Sequence, residues 1–99
     1  MATLIWTERA IEQVKEIGAF IEQNSAFQAR RVVRVVLKEA DKLRQFPRLG
    51  RMIPERQEDS YRELLIFSYR VFYRILDNDT VVITGVVHGR RLFDPQWVQ

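Results

Sequence analysis

Hydrophobic residues recur along the chain with two different spacings, and the change of spacing divides it into a helical part and a strand-rich part. From residue 8 to residue 43, apolar side chains recur every three or four positions, which is typical of amphipathic helices. From residue 61 to residue 91, β-branched and aromatic residues dominate, which favours strands. The pattern therefore predicts an α+β fold in which the helices precede most of the sheet.

The first part predicts one short strand and two helices. Residues 4–6 are apolar and form the strand, and Thr7 is a suitable N-cap for a helix that runs to about Gln23. Ser25 and Gln28 have the spacing of a capping box, so a second helix begins there and ends before the first proline of the chain. Because the link between them is short, we expect the two helices to pack as an antiparallel hairpin.

The second part predicts three strands that form a meander. The strand pattern breaks at Phe67-Ser68 and again at residues 77–79. Side-chain alternation in the middle strand places Arg70, Phe72 and Arg74 on one face. We expect that face to be partly open. The opposite face is apolar with two phenols, so we expect helices to cover its residues, which are Tyr69, Val71, Tyr73 and Ile75.

The turn between the last two strands leaves two registers open. A two-residue loop at Asn78-Asp79 pairs Tyr73 with Thr84 and Phe72 with Gly85. A three-residue loop pairs Tyr73 with Ile83 instead. We favour the two-residue loop, with Asn78 at positive φ and the arginine face set against Ile83, Gly85 and Val87. A bulge at Gly85 would shift this register.

Together these elements predict the order βααβββ, with a helical hairpin packed on one face of a small, mainly antiparallel sheet. The 99 residues suffice for a single domain, residues 1–99, with a C-terminal tail from about residue 92. In the tail, Phe93 and Trp97 either fold back onto the core or are left for a partner. Pro47 and Gly50, in the loop before the second strand, are interpreted as turn residues.

Composition argues against several kinds of site. The chain has no cysteine and one histidine, so we expect no disulfide, thiolate nucleophile, metal site or cofactor. The N-terminus does not have the pattern of a signal peptide, and no uncharged stretch is long enough to span a bilayer. A cytoplasmic location without membrane contact is therefore the default expectation.

The charge of the chain points to an anionic partner. Sixteen Lys and Arg residues against 13 Asp and Glu residues give a net charge of +3. Arginine strongly outnumbers lysine, and its planar fork suits phosphates and carboxylates. We therefore expect either nucleic acid or an acidic protein as a partner. A row of cations on the outer face of the second helix is interpreted as a solvated surface: Arg30, Arg31, Arg34 and Lys38.

Several motifs, in this order and spacing, resemble the RelE/ParE toxin superfamily of type II toxin–antitoxin systems. They are Trp6-Thr7 with Ala10, the run LRQFPRLGR from Leu43 to Arg51, Tyr61 to Leu64, Tyr69-Arg70-Val71 with Tyr73-Arg74-Ile75, and Val87 to Arg91. The resemblance covers nearly the whole chain. It implies a plasmid-stabilisation toxin that arrests growth unless a cognate antitoxin, ParD-like or similar, holds it in a hetero-oligomer. ParE-like members inhibit DNA gyrase, and RelE-like members cut mRNA on the ribosome.

The residues of the last strand favour the ParE-like branch. A ribonuclease needs a base, an acid and cations, for which the chain offers His88 with Arg62, Arg70 and Arg74. Ribonuclease members of the superfamily commonly place a tyrosine, or a histidine beside a tyrosine, near the end of this strand. Here His88 is followed by Gly89, and the later aromatic is Phe93, which cannot move a proton.

The HGRR sequence that begins at His88 is instead similar to ParE-like toxins, which implies a binder of DNA gyrase with no catalytic residues. The candidate contacts to the target are Arg62, Arg70, Arg74, Arg90, Arg91 and Trp97. His88 is then most simply a structural histidine, and Arg62 pairs with Glu63 or a loop carboxylate. The alternatives are a ribosome-dependent mRNA endonuclease and, third, an inactive relative or a plain nucleic-acid-binding module.

Overall fold

The computed structural model describes residues 1–98 and has the predicted order of elements. The strands are β1 (Thr3–Trp6), β2 (Arg51–Met52), β3 (Tyr61–Ile66), β4 (Tyr69–Ile75) and β5 (Thr80–His88). The helices are α1 (Glu8–Glu22) and α2 (Ala26–Asp41), and short 3-10 turns lie at Lys42–Arg44 and Pro95–Val98. The βααβββ order is confirmed, and β2 is an additional two-residue strand that the sequence pattern did not predict.

Both helices begin at the predicted caps. The hydroxyl of Thr7 accepts the backbone N–H of Ala10 at 3.1 Å, and the hydroxyl of Ser25 accepts the backbone N–H of Gln28 at 3.1 Å. Each bond satisfies an N–H that the first turn of a helix leaves without an intrahelical partner. Three residues, Gln23, Asn24 and the cap Ser25, separate the helices, which pack against each other and confirm the predicted hairpin.

The five strands form one sheet in the order β1-β5-β4-β3-β2. The meander β3-β4-β5 is antiparallel as predicted, whereas β1 runs parallel to β5. Since β1 ends at Trp6, opposite Ile83, the second half of β5 has no strand on that side within residues 1–98. There Gln13 of α1 replaces a strand, because its side-chain Oε1 accepts the backbone N–H of Val86 at 2.8 Å.

The β4–β5 hairpin combines parts of both predicted registers. Phe72 pairs with Gly85, as the two-residue loop predicts, but Tyr73 pairs with Ile83, as the three-residue loop predicts. Thr84 lies between these two pairs as a bulge, which places two residues of β5 opposite one of β4. The favoured pairing of Tyr73 with Thr84 was therefore wrong.

The loop and the bulge correct two further predictions. Positive φ occurs at Asp79, at 60°, and not at Asn78, because the last position of a three-residue hairpin loop is the left-handed one. The bulge also reverses the alternation of side chains along β5. Ile83 therefore packs in the core beneath the helices, and only Gly85 and Val87 of the predicted set lie on the arginine face.

The two helices cover one face of the sheet, as predicted. The core on this face, here called the helix-side core, joins residues of both helices to the apolar face of the meander, including Val14, Val36, Ala40, Val71, Tyr73, Ile83 and Val86. The helices approach each other closely at Gly18. A methyl group added there would lie 3.2 Å from Cγ2 of Val33, so this glycine serves helix packing.

The opposite face is closed by the C-terminal tail, and the prediction of a partly open face was wrong. Phe93, Trp97 and Val98 pack against Phe72 and Val87. The ring centroid of Phe72 lies 5.8 Å from that of Phe93 and 6.2 Å from that of Trp97. The tail therefore folds back and forms a second apolar cluster, here called the tail-side core.

Gly50 is a packing contact and not only a turn residue. Its backbone N–H donates to the hydroxyl of Tyr73 at 2.9 Å, in the buried region between the loop and β4. A Cβ atom at this position would lie 2.9 Å from Cε1 of Tyr73 and 2.8 Å from the carbonyl carbon of Glu63. Burial raises the pKa of Tyr73, so its phenol is a neutral acceptor for this bond.

We predict that Gly50→Ala lowers the free energy of unfolding by about 1–3 kcal/mol, because the methyl group must displace backbone and a buried ring. Chemical denaturation followed by circular dichroism measures the change. Gly18→Ala is the matched control. Its added methyl group comes close to Val33, but alanine favours a helix over glycine by about 0.5–1 kcal/mol, which offsets the cost of that contact. Equal losses in the two variants would contradict the special role of Gly50.

Candidate target-binding site

The sheet separates the predicted catalytic residues onto opposite faces. His88 pairs with Tyr69, which lies on the helix side of β4 together with Val71 and Tyr73. Arg70 and Arg74 alternate with those residues and therefore point to the tail side. The histidine and these two arginines cannot contact the same substrate phosphate.

Arg62 lies on the helix side but far from His88. It pairs with Tyr73, which is four residues further along β4 than Tyr69, a separation of about 13 Å for a strand. The three arginines and His88 that were predicted as a ribonuclease set are therefore not brought together.

His88 lines a cavity between the end of β5 and helix α1. The cavity has a volume of about 450 Å³, and its other lining residues are Gln13, Glu16, Ile17, Phe20, Tyr69, Val86, Val87 and Arg91. The ring of Tyr69 packs edge-on against the imidazole of His88, with centroids 5.5 Å apart. A tyrosine therefore does lie beside this histidine, supplied by the neighbouring strand.

The hydrogen bonding of His88 is that of a structural residue. Its Nδ1 accepts the backbone N–H of Arg90 at 3.1 Å, which ties the loop after β5 to the strand end. An Nδ1 that accepts leaves the proton of the neutral ring on Nε2. The acceptor nitrogen of this tautomer is occupied by the backbone N–H of Arg90, which is a structural role.

Arg70 is neutralised by two carboxylates on the tail side of the sheet. Its Nε donates to Glu63 at 2.6 Å, and its Nη1 and Nη2 donate to Glu55 at 3.0 and 2.7 Å. The guanidinium also stacks over Phe72 with its carbon 4.8 Å from the ring centroid. These hydrogen bonds lower the pKa of Glu55 and raise the pKa of Arg70 further above its ordinary value.

Glu63 is the centre of this network. Its side chain is fully buried, and its second oxygen also accepts Nε of Arg51 at 2.9 Å. A buried carboxylate is tolerated only when its oxygens are paired in this way. The network, here called the Glu63 network, consists of Glu63, Arg70, Glu55 and Arg51, and its formal charges cancel.

Arg62 is also fully engaged. Its Nε donates to the carbonyl of Asp59 at 2.9 Å, its Nη2 to the carboxylate of Asp59 at 2.6 Å, and its Nη1 to the carbonyl of Gly50 at 2.8 Å. Arg48 pairs with the same carboxylate, and hydrogen bonds from Arg48 and Arg62 lower the pKa of Asp59. The predicted pairing with a loop carboxylate is confirmed, and Arg62 holds the loop to the sheet.

Three of the predicted contact residues remain available to a target. Arg74, Arg90 and Arg91 are exposed, and none of them forms an ion pair within residues 1–98. Arg74 stacks over Tyr61 with its guanidinium carbon 5.2 Å from the ring centroid. Next to Arg91, Leu92 is 92% exposed, so the loop after β5 presents two cations and an apolar side chain.

The ring of Trp97 contacts this loop through Arg91. The residue is buried in the tail-side core, and the guanidinium of Arg91 lies over its ring, with the carbon atom 4.8 Å from the ring centroid. A cation over the face of an indole is attracted by the ring quadrupole. Trp97 therefore links the tail-side core to the loop and positions Arg91.

Two further observations on the described part of the chain concern metal binding and membrane spanning. Residues 1–98 contain no group of three or more His, Cys, Asp and Glu side chains arranged to hold a metal ion. None of the helices in this part of the chain combines the length and the apolar character that crossing a bilayer requires.

The comparison with protein families decides the assignment. The model of a family described as the ParE toxin of the type II toxin–antitoxin system parDE matches residues 4–93. That span contains both helices and strands β2 to β5. This chain belongs to the ParE toxin family.

Similarity to a curated relative supports membership of the ParE family. The toxin candidate Y4kP of Sinorhizobium fredii is 38% identical over 96 residues, which cover 95% of this chain and 91% of the relative. The resemblance drawn from the sequence motifs is thereby confirmed, and the chain is a toxin of a type II toxin–antitoxin system within the RelE/ParE superfamily.

Solved structures with this fold include both branches of the superfamily. A chain of the chromosomal ParDE system from P. aeruginosa superimposes with a TM-score of 0.72 at 18% identity, covering 89% of this chain and 96% of that one. A chain of the toxin–antitoxin complex RelBE2 from Mycobacterium tuberculosis gives 0.65 at 26% identity, with coverages of 88% and 96%. A mutant of E. coli RelE in the free state gives 0.64 at 19% identity, with coverages of 91% and 86%.

In this ParE-family chain we predict that Glu63→Ala lowers the free energy of unfolding by about 3–5 kcal/mol, because it removes one partner of a buried charge pair. Glu55→Ala, in the same network, should cost only about 0–1 kcal/mol, since Glu55 is partly exposed. Urea unfolding of both variants at neutral pH measures the difference. A cost for Glu55→Ala as large as that for Glu63→Ala would contradict the central role of Glu63.

Proposed function

We propose that this toxin acts by binding and inhibiting DNA gyrase, and that it does so without a catalytic step. One observation carries the proposal: the histidine and the β4 arginines that were predicted as a ribonuclease set are divided between the two faces of the sheet. His88 lies on the helix side, whereas Arg70 and Arg74 lie on the tail side. In an RNase the base removes a proton from the ribose hydroxyl while a cation contacts the adjacent phosphate, so both must lie on the same side of the sheet. Their separation favours a toxin that binds its target without cutting RNA.

The state of the arginines supports the same proposal. Arg62 and Arg70 are held by carboxylates or backbone carbonyls and serve the fold. The loop after β5 offers Arg90, Arg91 and exposed Leu92 on a base fixed by His88 and Trp97. An apolar side chain flanked by unneutralised guanidiniums suits an acidic protein surface or a DNA backbone, and gyrase acting on DNA presents both.

We propose further that a cognate antitoxin, ParD-like or similar, holds the toxin in a hetero-oligomer in the cytoplasm. Membership of the ParE family supports this, and so do the similar chains in the P. aeruginosa ParDE system and the M. tuberculosis RelBE2 complex. Release from the antitoxin would then lead to growth arrest through blocked DNA replication.

The second candidate is a ribosome-dependent mRNA endonuclease, and one observation favours it. Tyr69 lies against His88, and Arg91 lines the same cavity, so a histidine, a phenol and a cation do occur together at this end of the sheet. This set differs from the predicted one, since it includes neither Arg62 nor Arg70 nor Arg74. Loss of activity on removing the imidazole would distinguish it from the gyrase proposal.

We predict that inducing the wild-type chain in bacteria without antitoxin lowers incorporation of labelled thymidine before that of labelled methionine. The reason is that a blocked gyrase stops replication forks first, whereas mRNA cleavage stops translation first. His88→Ala should show the same order of effects and remain toxic, because a binder needs no proton transfer and loses only the hydrogen bond that holds Arg90.

Two results would favour the nuclease instead. Methionine incorporation would fall first in cells with the wild-type chain, and His88→Ala would be harmless although the protein accumulates in folded form. Tyr69→Phe provides a second check, since it keeps the packing of the ring against His88 and removes only the hydroxyl group.

We predict that the double variant Arg90→Ala/Arg91→Ala binds gyrase at least about tenfold more weakly, which corresponds to a loss of about 1.4 kcal/mol. Titration of purified toxin in a supercoiling assay measures this. The matched control is Lys42→Ala/Arg44→Ala, which removes two cations that pair with neighbouring carboxylates on α2. Equal inhibition by both double variants would show that the loop is not the contact surface.

A further inference from the structure

The turn between β3 and β4 holds a phenylalanine in a backbone conformation that suits glycine. Ile66 pairs with Tyr69, so the loop of this hairpin consists of two residues, Phe67 and Ser68. The φ angle is 53° at Phe67 and is not positive at Ser68. A two-residue hairpin loop with positive φ only at its first position is a type II′ turn, where glycine is the usual residue. A bulky side chain at that position strains the backbone.

The fold makes little use of the ring that this strained turn carries. Phe67 is 52% exposed and belongs to neither the helix-side core nor the tail-side core. The guanidinium carbon of Arg31 lies 5.4 Å from the centre of its ring, and such a contact between two exposed side chains is weak. Glycine would form the same turn without strain. Strain that gives the fold so little in return is typical of residues that act on a partner.

The tip of this hairpin is joined to the loop after β5. The carbonyl of Ser68 accepts the backbone N–H of Gly89 at 2.7 Å. Phe67 and Arg90 are each one residue away from this hydrogen bond, so both belong to the same end of the sheet. The exposed residues at this end are here called the hairpin-end surface. They are Phe67, Arg31, Arg90, Arg91 and Leu92.

The hairpin-end surface carries positive charge that the described chain does not neutralise. None of its three arginines forms an ion pair within residues 1–98. Glu39 lines the same groove as Phe67, but it pairs with Lys42 at 2.7 Å. Glu16 lines the cavity beside His88 together with Arg91 and forms no ion pair with it. The surface therefore presents two exposed apolar side chains among three cations.

The chemistry of this surface suits a protein partner better than a nucleic acid. A base stacks on an open aromatic face, but Arg31 already lies over the ring of Phe67. Leu92 is almost fully exposed, and an aliphatic side chain gains nothing from a phosphate. Aromatic and arginine side chains are enriched in protein interfaces, where an aromatic side chain commonly fills a central pocket. Cations beside that aromatic favour carboxylates at the border of the pocket.

We propose that Phe67 is the anchor of target binding. Its ring enters an apolar pocket on a protein, and carboxylates at the border of that pocket pair with Arg31 and Arg90. This rests on the proposed function, in which the protein is DNA gyrase, and it specifies that the surface contacts the gyrase protein and not the bound DNA. The turn presents the ring at the tip before binding, so little conformational freedom is lost when it enters the pocket.

Phe67→Gly tests the anchor, because it removes the ring and relieves the strain of the turn in one step. In a supercoiling assay with purified gyrase, the toxin concentration for half inhibition should rise at least about thirtyfold, as expected for a hot-spot residue. The urea midpoint of this variant should be close to that of the wild type or above it, since glycine suits the turn. A residue that served only the fold would give a lower midpoint and unchanged inhibition by the folded protein.

Phe46→Ala is the matched control. Phe46 is a similarly exposed phenylalanine, at 58%, in the loop before β2, so its loss should leave inhibition as in the wild type. Phe67→Asn is a second test variant, because asparagine also tolerates positive φ and lacks the ring. All chains are full length and made by cell-free synthesis.

Binding measurements distinguish a protein contact from a DNA contact. Fluorescence anisotropy of labelled toxin is recorded with gyrase alone and with a DNA duplex alone, at physiological ionic strength. The wild-type chain should bind gyrase without DNA and should not bind the duplex. Phe67→Gly should bind gyrase at least about thirtyfold more weakly.

The possible outcomes separate the anchor from the proposed function. A wild-type chain that leaves gyrase active at every concentration would refute the gyrase function and the anchor together. Inhibition that is equal for the wild type and both Phe67 variants would refute the anchor alone. A wild-type chain that binds the duplex and not gyrase would overturn the protein partner in favour of nucleic acid. Equal weakening by Phe46→Ala would also overturn the anchor, because any exposed aromatic would then suffice.

Discussion

The burial of the Glu63 carboxylate is the constraint on which the tail side of this structure depends. A carboxylate with no exposure to water must be met by cations, and Arg70 and Arg51 supply them from two different segments. The fork of Arg70 reaches Glu55 as well, which fixes the loop after β2 against the sheet. The guanidinium plane then forms a surface on which Phe72 and Phe93 pack, and the tail closes over it.

The Glu63 network changes the functional interpretation of the arginines in β4. A row of guanidiniums along β4 resembles a phosphate clamp when only the sequence is considered, yet Arg70 is held by two carboxylates and Arg74 lies over a tyrosine. Of the arginines predicted to contact a target, Arg74, Arg90 and Arg91 have no carboxylate paired with them within residues 1–98, and the last two lie in the loop after β5. In the proposed function, fold and target recognition therefore use different arginines of the same chain.

Local signals in the sequence were sufficient for most of the fold. Thr7 and Ser25 mark the helix starts because N-capping is decided by a side chain and the N–H three residues later. Gly85 indicated a bulge in this region, but its position at Thr84 left no local signal, since it depends on how β5 fits between the helices and β4. Strand β2 was missed because two residues are too few to show alternation.

The site was harder to predict, because its contacts join distant segments. Glu55 and Glu63 approach Arg70 from a loop and a neighbouring strand, and periodicity says nothing about such pairs. Likewise Tyr69 lies beside His88 only through the register of two strands. One signal was available for Glu63, which is the single carboxylate of a strand whose other residues are apolar, aromatic or arginine, and this indicates a buried partner for an arginine.

The hydrogen bond from Gln13 to the end of β5 has a consequence for the lifetime of the free protein. A strand edge with unpaired backbone groups is a template for edge-to-edge aggregation, and natural proteins cover such edges. Here β1 stops halfway along β5, and one amide side chain from α1 occupies the next backbone N–H, at Val86. The chain thus shields its own edge at that point, so we expect this part of β5 to resist strand-to-strand association when the protein is on its own.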